Sequence, residues 1–274
     1  MPRKTLASFD GDILIYGCGA MASAMLTRWL ATGLDPARIT AIRKSSAPVA
    51  GGITTLTSAE GRQPPAILLI GVKPQTFAST ATDIERLAGP DTLVVSIMAG
   101  IPLEDLSLAL PRAAAIVRVM PNMPVASGEG VAATVGDAGK AHSKRLDALL
   151  APLGHVHAMS DEAGFNLVTA LTGCGPAFVY RFVAALAGAA VRLGLDPADA
   201  DTLARATVAG AANTLAASNE TPMALADAVA SPGGMTQAGL DVLDSDGRLA
   251  ALLAETLRAA RERGRELAAA ARGD

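Results

Sequence analysis

The apolar positions of this chain fall into two textures. Before about residue 160, short unbroken apolar runs alternate with stretches whose apolar residues recur every third or fourth position. The runs are read as strands over residues 13–16, 39–42, 53–57, 66–72, 93–97, 115–120, 130–135 and 155–158. Residues 66–72, AILLIGV, are apolar throughout, as expected of a central parallel strand covered on both faces. Residues 53–57 read as an edge strand. Helices are expected from Ala20 onward, over about 75–87 behind Pro74, and over about 138–150. After Ser160 the strand runs stop, and Ala- and Leu-rich helical periodicity continues to the C-terminus. A helix start is read at Ser160-Asp161-Glu162. Gly173-Cys174-Gly175-Pro176 should break or kink the run that follows, because proline holds its preceding residue out of the α region. Further helices are expected over 177–193, ended by Gly194, over about 197–217, from Thr221-Pro222, from about Thr236, and over about 247–271. The texture change divides the chain into two domains, 1–160 and 161–274.

Residues 13–30, ILIYGCGAMASAMLTRWL, organise the first part. A buried strand runs into Gly17-Cys18-Gly19, and good helix formers begin at Ala20. The pattern is G-x-G-x-x-A, with Ala22 in the third glycine's place. Strand, glycine turn and helix together present free backbone N–H groups and the positive helix end to a pyrophosphate. Gly17, Cys18, Gly19, Ala20 and Met21 are therefore candidate cofactor residues, and the fold class is α/β, Rossmann-like, followed by an all-α domain. The same residues would also serve as a plain tight turn. At the end of the second strand an NAD site wants a carboxylate for the ribose 2′-OH. No acidic residue lies between Asp35 and Glu60. Arg43, Lys44 and Ser45 stand there instead, and two cations with a hydroxyl suit a 2′-phosphate. The reading is NADP(H) in preference to NAD(H), against a solvated basic turn. Ligands of open α/β sheets bind past the carboxyl ends of strands, which brings in Val72, Lys73 and Pro74. Lys73 is read as a functional cation there. Ala99-Gly100 permits close backbone approach to a ligand. Asn122, bracketed by Pro121 and Pro124, is an amide held still that either bonds a ribose or carboxamide or caps a turn.

Half of the 274 residues are hydrophobic, enough for a sizeable core, and a net charge of -3 gives no reason to expect nucleic acid. The two cysteines, Cys18 and Cys174, each sit between glycines, which fits a reducing compartment. His142, His155 and His157 have no partners at ligand spacing, so no metal site is read. MPRKTLASFDGD lacks an apolar leader, and the apolar run 182–191, bracketed by Arg181 and Arg192, is short for a bilayer. A cytoplasmic protein without a membrane partner is expected. The slim, Ala-rich helices of the second part cannot enclose a core alone, which points to pairing with a second copy.

Ser231-Pro232-Gly233-Gly234-Met235-Thr236 is a flexible turn feeding a helix. Amides at that helix start, with the Ser231 and Thr236 hydroxyls, would make a carboxylate-binding nest, or simply a helix–helix turn. The last helix carries Arg258, Arg261, Glu262, Arg265 and Glu266, a solvated face.

In order along the chain stand GCGAMA at 17–22, GVKPQ at 71–75, SIMAGI at 96–101, RVMPNMP at 118–124, LTGCGPAFVY at 171–180 and SPGGMTQAGL at 231–240. With these, almost the whole chain resembles the pyrroline-5-carboxylate reductases. The resemblance implies NAD(P)H-dependent reduction of 1-pyrroline-5-carboxylate to L-proline. It also implies an interleaved helical dimer that often assembles into rings of five dimers. Gly233, Gly234 and Thr236 would then bind the substrate carboxylate and ring nitrogen region, with Ser231 and Met235 in the same turn. Lys73, Pro74, Ala99, Gly100 and Asn122 would line the cofactor. The sequence departs from the family's pattern at four places. Ala20 stands where a polar residue is usual, and Ser58 where a ribose-contacting Asn is usual. Cys174 replaces a common Ser, and Met235 the first Thr of a pair. Thr236 is the expected hydrogen-bonding partner of the substrate nitrogen, and with Lys73 completes the catalytic candidates. The competing readings are a reductase of another cyclic imine or of a β-hydroxyacid, and a non-catalytic NADP(H)-binding protein of the same fold.

Overall fold

The structure, a computed structural model, describes residues 6–45 and 49–272. Residues 1–5, part of the stretch read for a leader, lie outside the described residues. Eight strands, β1 (Ile13–Tyr16), β2 (Ile39–Ile42), β3 (Thr54–Leu56), β4 (Ile67–Ile70), β5 (Leu93–Ser96), β6 (Ala115–Pro121), β7 (Gly130–Val135) and β8 (Gly154–Ala158), form one sheet in the order 3-2-1-4-5-6-7-8. All neighbours are parallel except β6 and β7, which run antiparallel. The helices are α1 (Ala20–Ala31), α2 (Pro74–Leu87), α3 (Leu103–Ala109), α4 (Gly139–Leu150), α5 (Phe165–Thr172), α6 (Gly175–Arg192), α7 (Pro197–Ala217), α8 (Pro222–Val229), α9 (Met235–Asp244) and α10 (Arg248–Arg272).

The period-two alternation of the strands sorts the core into two faces. Ile13 and Ile15 of β1, Ile67 and Leu69 of β4, and Leu93 and Val95 of β5 share one cluster with Met25, Leu26 and Trp29 of α1 and Leu149 and Leu150 of α4. Leu14, Tyr16, Leu68, Ile70 and Val94 share the other with Phe77, Ile84 and Leu87 of α2 and Leu106 of α3. Each such side chain contributes roughly 1.5–3 kcal/mol by leaving water. On the first face the Trp29 indole N–H donates to Leu149 O at 2.7 Å, which fixes α1 against α4.

Strand order reverses between β1 and β4, because β2 and β3 lie to one side of β1 and β4 to β8 to the other. This is the topological switch point, where open α/β sheets place a ligand crevice.

Two compact units make up the chain. One is Met1–Cys174 with Ala260–Asp274, and the other is Gly175–Ala259. The division therefore falls later than the texture change at residue 160. Helix α5 stays with the sheet because Phe165 is buried with Met120, Ala133 and Val135. The helix start expected at Ser160 is also displaced. Asp161 Oδ1 accepts from Ala163 N at 2.9 Å in a turn, while the Glu162 carboxylate is engaged with Arg118 and with Leu103 N, and α5 begins at Phe165.

In the second unit α6 and α7 pack as a hairpin. Gly194 turns it at φ +106°, and Asp196 caps α7 by accepting from Ala198 N at 2.9 Å. Its fully enclosed apolar side chains, among the described residues, are Ala187, Ala200 and Ala204. Large apolar side chains remain exposed, among them Tyr180, Phe182, Leu193, Met223 and Val242. Within the 28 residues Phe165–Arg192, which hold α5 and α6, a window of mean hydropathy 1.5 is apolar enough, by length and composition, to cross a membrane.

Candidate active site

The carboxyl ends of β1 and β4 meet through a pair of glycines. Gly17 has φ +91°, and a Cβ there would lie 2.6 Å from Val72 N. A Cβ on Gly71 would lie 2.6 Å from Gly17 O. No other residue type fits either place without moving backbone. Gly17 N donates to Ile42 O at 2.8 Å and Gly71 N to Tyr16 O at 2.9 Å, so the turn is anchored to β1 and β2.

Gly19 serves a different purpose. A Cβ there would meet nothing within 4 Å, so the residue leaves open space directly before α1. As N-cap of α1 it offers no side-chain hydrogen bond, and the first turn holds no acidic residue. Free N–H groups and the positive end of the helix dipole therefore face that space, which is what a pyrophosphate needs.

The turn opens on a cleft of about 320 Å³. Gly17, Cys18, Gly19, Arg43, Lys44, Ser45 and Val72 line it together. The cleft thus joins a glycine turn and a helix terminus to a pair of cations, with no acidic lining residue among the described residues. These residues fit a phosphorylated dinucleotide. Tyr16, Thr57, Thr76 and Thr80 also line the cleft and were not anticipated. Helical period counted from Pro74 would have placed Thr76 and Thr80 on one face. Tyr16 is the last residue before the glycines and could have been found by that position alone.

The other sequence candidates lie elsewhere. Ala20 is exposed at the first position of α1, and Met21 packs against the core under α1. Lys73 is exposed at the N-cap of α2 and Pro74 follows as its first residue. Ser58 lines a separate cleft of about 260 Å³ with Asp83 and Arg86, and its Oγ accepts from Glu60 N at 3.1 Å. Ala99 is exposed. Gly100 is buried with φ +78°, and the close approach expected of a ligand is made by α10, where a Cβ would lie 3.2 Å from Ala268 N. Asn122 is buried and spends its amide on the protein. Oδ1 accepts from Val131 N at 2.8 Å, and Nδ2 donates to Thr172 O at 2.9 Å, tying β7 to the end of α5. Of the two readings left open for Asn122, the structure gives it an internal bracing role.

Beside Gly100 a second cleft of about 340 Å³ holds a buried ion pair. Arg118 of β6 pairs with Glu162 and lies 4.3 Å over the Phe165 ring. The Arg118 side chain is only 5% exposed, and its Nε and Nη2 have no hydrogen-bond partner among the described residues.

In the second unit Gly233 turns the chain at φ +72°, and Gly234 N donates to Ser231 O at 2.9 Å. A Cβ on Gly234 would overlap Ser231 Oγ. Gly234 is the N-cap of α9 without a side-chain cap, and no acidic residue occupies the first turn. Met235 is 94% exposed and Thr236 is exposed beside it. Ser231, Gly233, Gly234 and Thr236 thus surround open amides at a helix start.

A doubly wound sheet with a phosphate-binding turn at its switch point and a basic end to the cleft defines a dinucleotide-dependent oxidoreductase. Residues 12–100 match the family model "NADP oxidoreductase coenzyme F420-dependent", and residues 162–267 match "Pyrroline-5-carboxylate reductase dimerisation". The chain is 31% identical over 264 residues to a pyrroline-5-carboxylate reductase of Pseudomonas aeruginosa, covering 93% of this chain and 96% of that one. It is 36% identical over 261 residues to that of Arabidopsis thaliana, covering 92% and 93%. A solved pyrroline-5-carboxylate reductase of Coxiella burnetii superposes with a TM-score of 0.84 at 28% identity, over 94% of this chain and 98% of that one. That of Plasmodium falciparum, solved with NADP bound, gives 0.83 at 24%, over 95% and 99%. The chain belongs to the pyrroline-5-carboxylate reductase family. It is an NADP-binding oxidoreductase that acts on a small molecule and self-associates. The exposed apolar side chains and the groove of about 600 Å³ beside Val179, Tyr180 and Val208 lie within the matched dimerisation region.

Proposed function

We propose that this protein reduces 1-pyrroline-5-carboxylate to L-proline with NADPH as hydride donor. The observation that carries the reading is a cleft at the switch point lined by a glycine turn and by Arg43, Lys44 and Ser45, in a chain whose relatives over most of its length are pyrroline-5-carboxylate reductases. When bound, the reduced nicotinamide supplies a hydride to the imine carbon, and the ring nitrogen keeps its proton in the product amine. A cyclic imine is basic enough to arrive partly protonated near neutral pH, so the protein need not provide a strong acid. Its residues instead hold two reactants in register, which can lower a barrier by roughly 7–11 kcal/mol.

Gly17, Cys18 and Gly19 would cradle the pyrophosphate with the first amides of α1. Arg43, Lys44 and Ser45 would grip the 2′-phosphate, and this grip supports a preference for NADPH over NADH. Gly233, Gly234 and the Ser231 hydroxyl would hold the substrate carboxylate. Thr236 would hydrogen-bond the ring nitrogen and fix the face presented to the hydride. Lys73, exposed at the strand end, would add positive potential at the cofactor's approach. Assembly of the dimers into a ring of five and a cytoplasmic location are further parts of the proposal, resting on the family likeness and on two free cysteines.

Steady-state oxidation of NADPH and of NADH, each with 1-pyrroline-5-carboxylate, tests the reading. Proline should form stoichiometrically with NADPH consumed, at a kcat/KM at least tenfold above that with NADH. Tight NADPH binding without imine-dependent oxidation would overturn it in favour of a non-catalytic binding protein.

A further inference from the structure

Tyr16 is the last residue of β1, and strand alternation puts its ring on the α2 face with Ile70 and Phe77. The residue is 8% exposed and still lines the dinucleotide cleft. Buried tyrosines ordinarily give their hydroxyl a partner. The Tyr16 hydroxyl bonds to no other described residue and is not one of their enclosed unpartnered atoms, so it is open to water. Burial, and then the charge of Asp83, push its ionisation up, so it stays a neutral phenol able both to donate and to accept. On the proposed function the glycine turn takes a pyrophosphate and the basic turn a 2′-phosphate. The rest of the lining is Tyr16, Thr57, Thr76 and Thr80, with Ile42, Gly71 and Val72. The Thr80 hydroxyl is spent on Thr76 O at 3.0 Å and Phe77 O at 3.1 Å.

We propose that the Tyr16 hydroxyl hydrogen-bonds the adenosine end of the bound dinucleotide and is a specificity-determining residue for it. The proposal rests on NADP(H) occupying this cleft. It also gives a water-accessible hydroxyl a reason to be where it is, since a phenylalanine would fill the same core volume.

The test uses the full-length protein and its Tyr16→Phe variant, with 2′,5′-ADP and NADPH as calorimetric probes. The variant should bind both about three- to tenfold more weakly, the worth of one neutral hydrogen bond. Its melting temperature without ligand should stay the same or rise, because no internal bond is lost, whereas a structural hydroxyl would make it fall. Unchanged affinity for 2′,5′-ADP in the variant overturns the proposal, as does weakening of NADPH alone. Wild-type protein that binds neither probe overturns the cofactor reading of the cleft and this inference with it.

Discussion

Glu162 sits 44 residues beyond Arg118 in the chain and neutralises it inside the first unit. Its Oε1 accepts from Arg118, and its two oxygens also receive Leu103 N at 3.0 and 3.2 Å. Glu162→Gln keeps the shape and removes the charge. Arg118 would then stand 5% exposed with Nε and Nη2 already unpartnered and only the Phe165 ring face for compensation. Breaking a buried pair from one side costs about 3–5 kcal/mol. Glu162 is itself 28% exposed, so water can reach the gap and the low end, about 3 kcal/mol, is expected. At roughly 2–4 °C per kcal/mol for a unit of this size, the melting temperature should fall by roughly 6–12 °C at fixed protomer concentration. Replacing both partners with apolar residues, Arg118→Met with Glu162→Leu, should recover most of that loss, since no charge is left stranded. A Glu162→Gln variant melting within 2 °C of wild type, a shift of at most about 0.5–1 kcal/mol, would refute the reasoning.

Arg43→Ala with Lys44→Ala should weaken NADPH binding about tenfold to a hundredfold and leave NADH nearly unchanged, read by fluorescence titration. Thr236→Val should lower kcat at least about tenfold with an unaltered Kd for NADPH, and an unchanged kcat would remove Thr236 from the mechanism. Gly17→Ala would force a Cβ against Val72 N at an already left-handed φ, so destabilisation of roughly 2–4 kcal/mol and loss of NADPH binding are expected in urea melts and titrations. Tyr16 should hold its proton above the ordinary value of 10.0 in the folded protein. The stability this contributes is present below that value and lost as pH rises through the folded-state value, which a difference titration of wild type against Tyr16→Phe by tyrosinate absorbance would detect.

The strands and most helices were legible because unbroken apolar runs and capping residues are local signals. Pro197–Ala217 is bounded as expected, since Asp196 caps one end and the helical pattern runs to the other. Leu103–Ala109 was missed because a short helix behind Pro102 carries too few periodic positions to register. The antiparallel run of β7 could not be read, because a buried strand has the same apolar run in either direction. The glycine turn and the basic turn were legible together, since the phosphates they suit demand particular residue types at nearby positions. What escaped was long-range: α10 pressed on Gly100, Asn122 clamped to Thr172, and Arg118 committed to Glu162. Each depends on a partner that the local sequence does not announce. Ser58 Oγ accepts from Glu60 N in its own turn, and Ser58 lines a cleft other than the one at Gly17.

A crystal structure of the assembled protein with NADP⁺ and L-proline puts the central claim to the most direct test. The account predicts pyrophosphate at Gly17 to Gly19, the 2′-phosphate at Arg43 to Ser45, and the proline carboxylate at the turn from Gly233 to Thr236 with its nitrogen at Thr236. Proline bound with its carboxylate away from that turn, or a dinucleotide bound outside the glycine cleft, would contradict it.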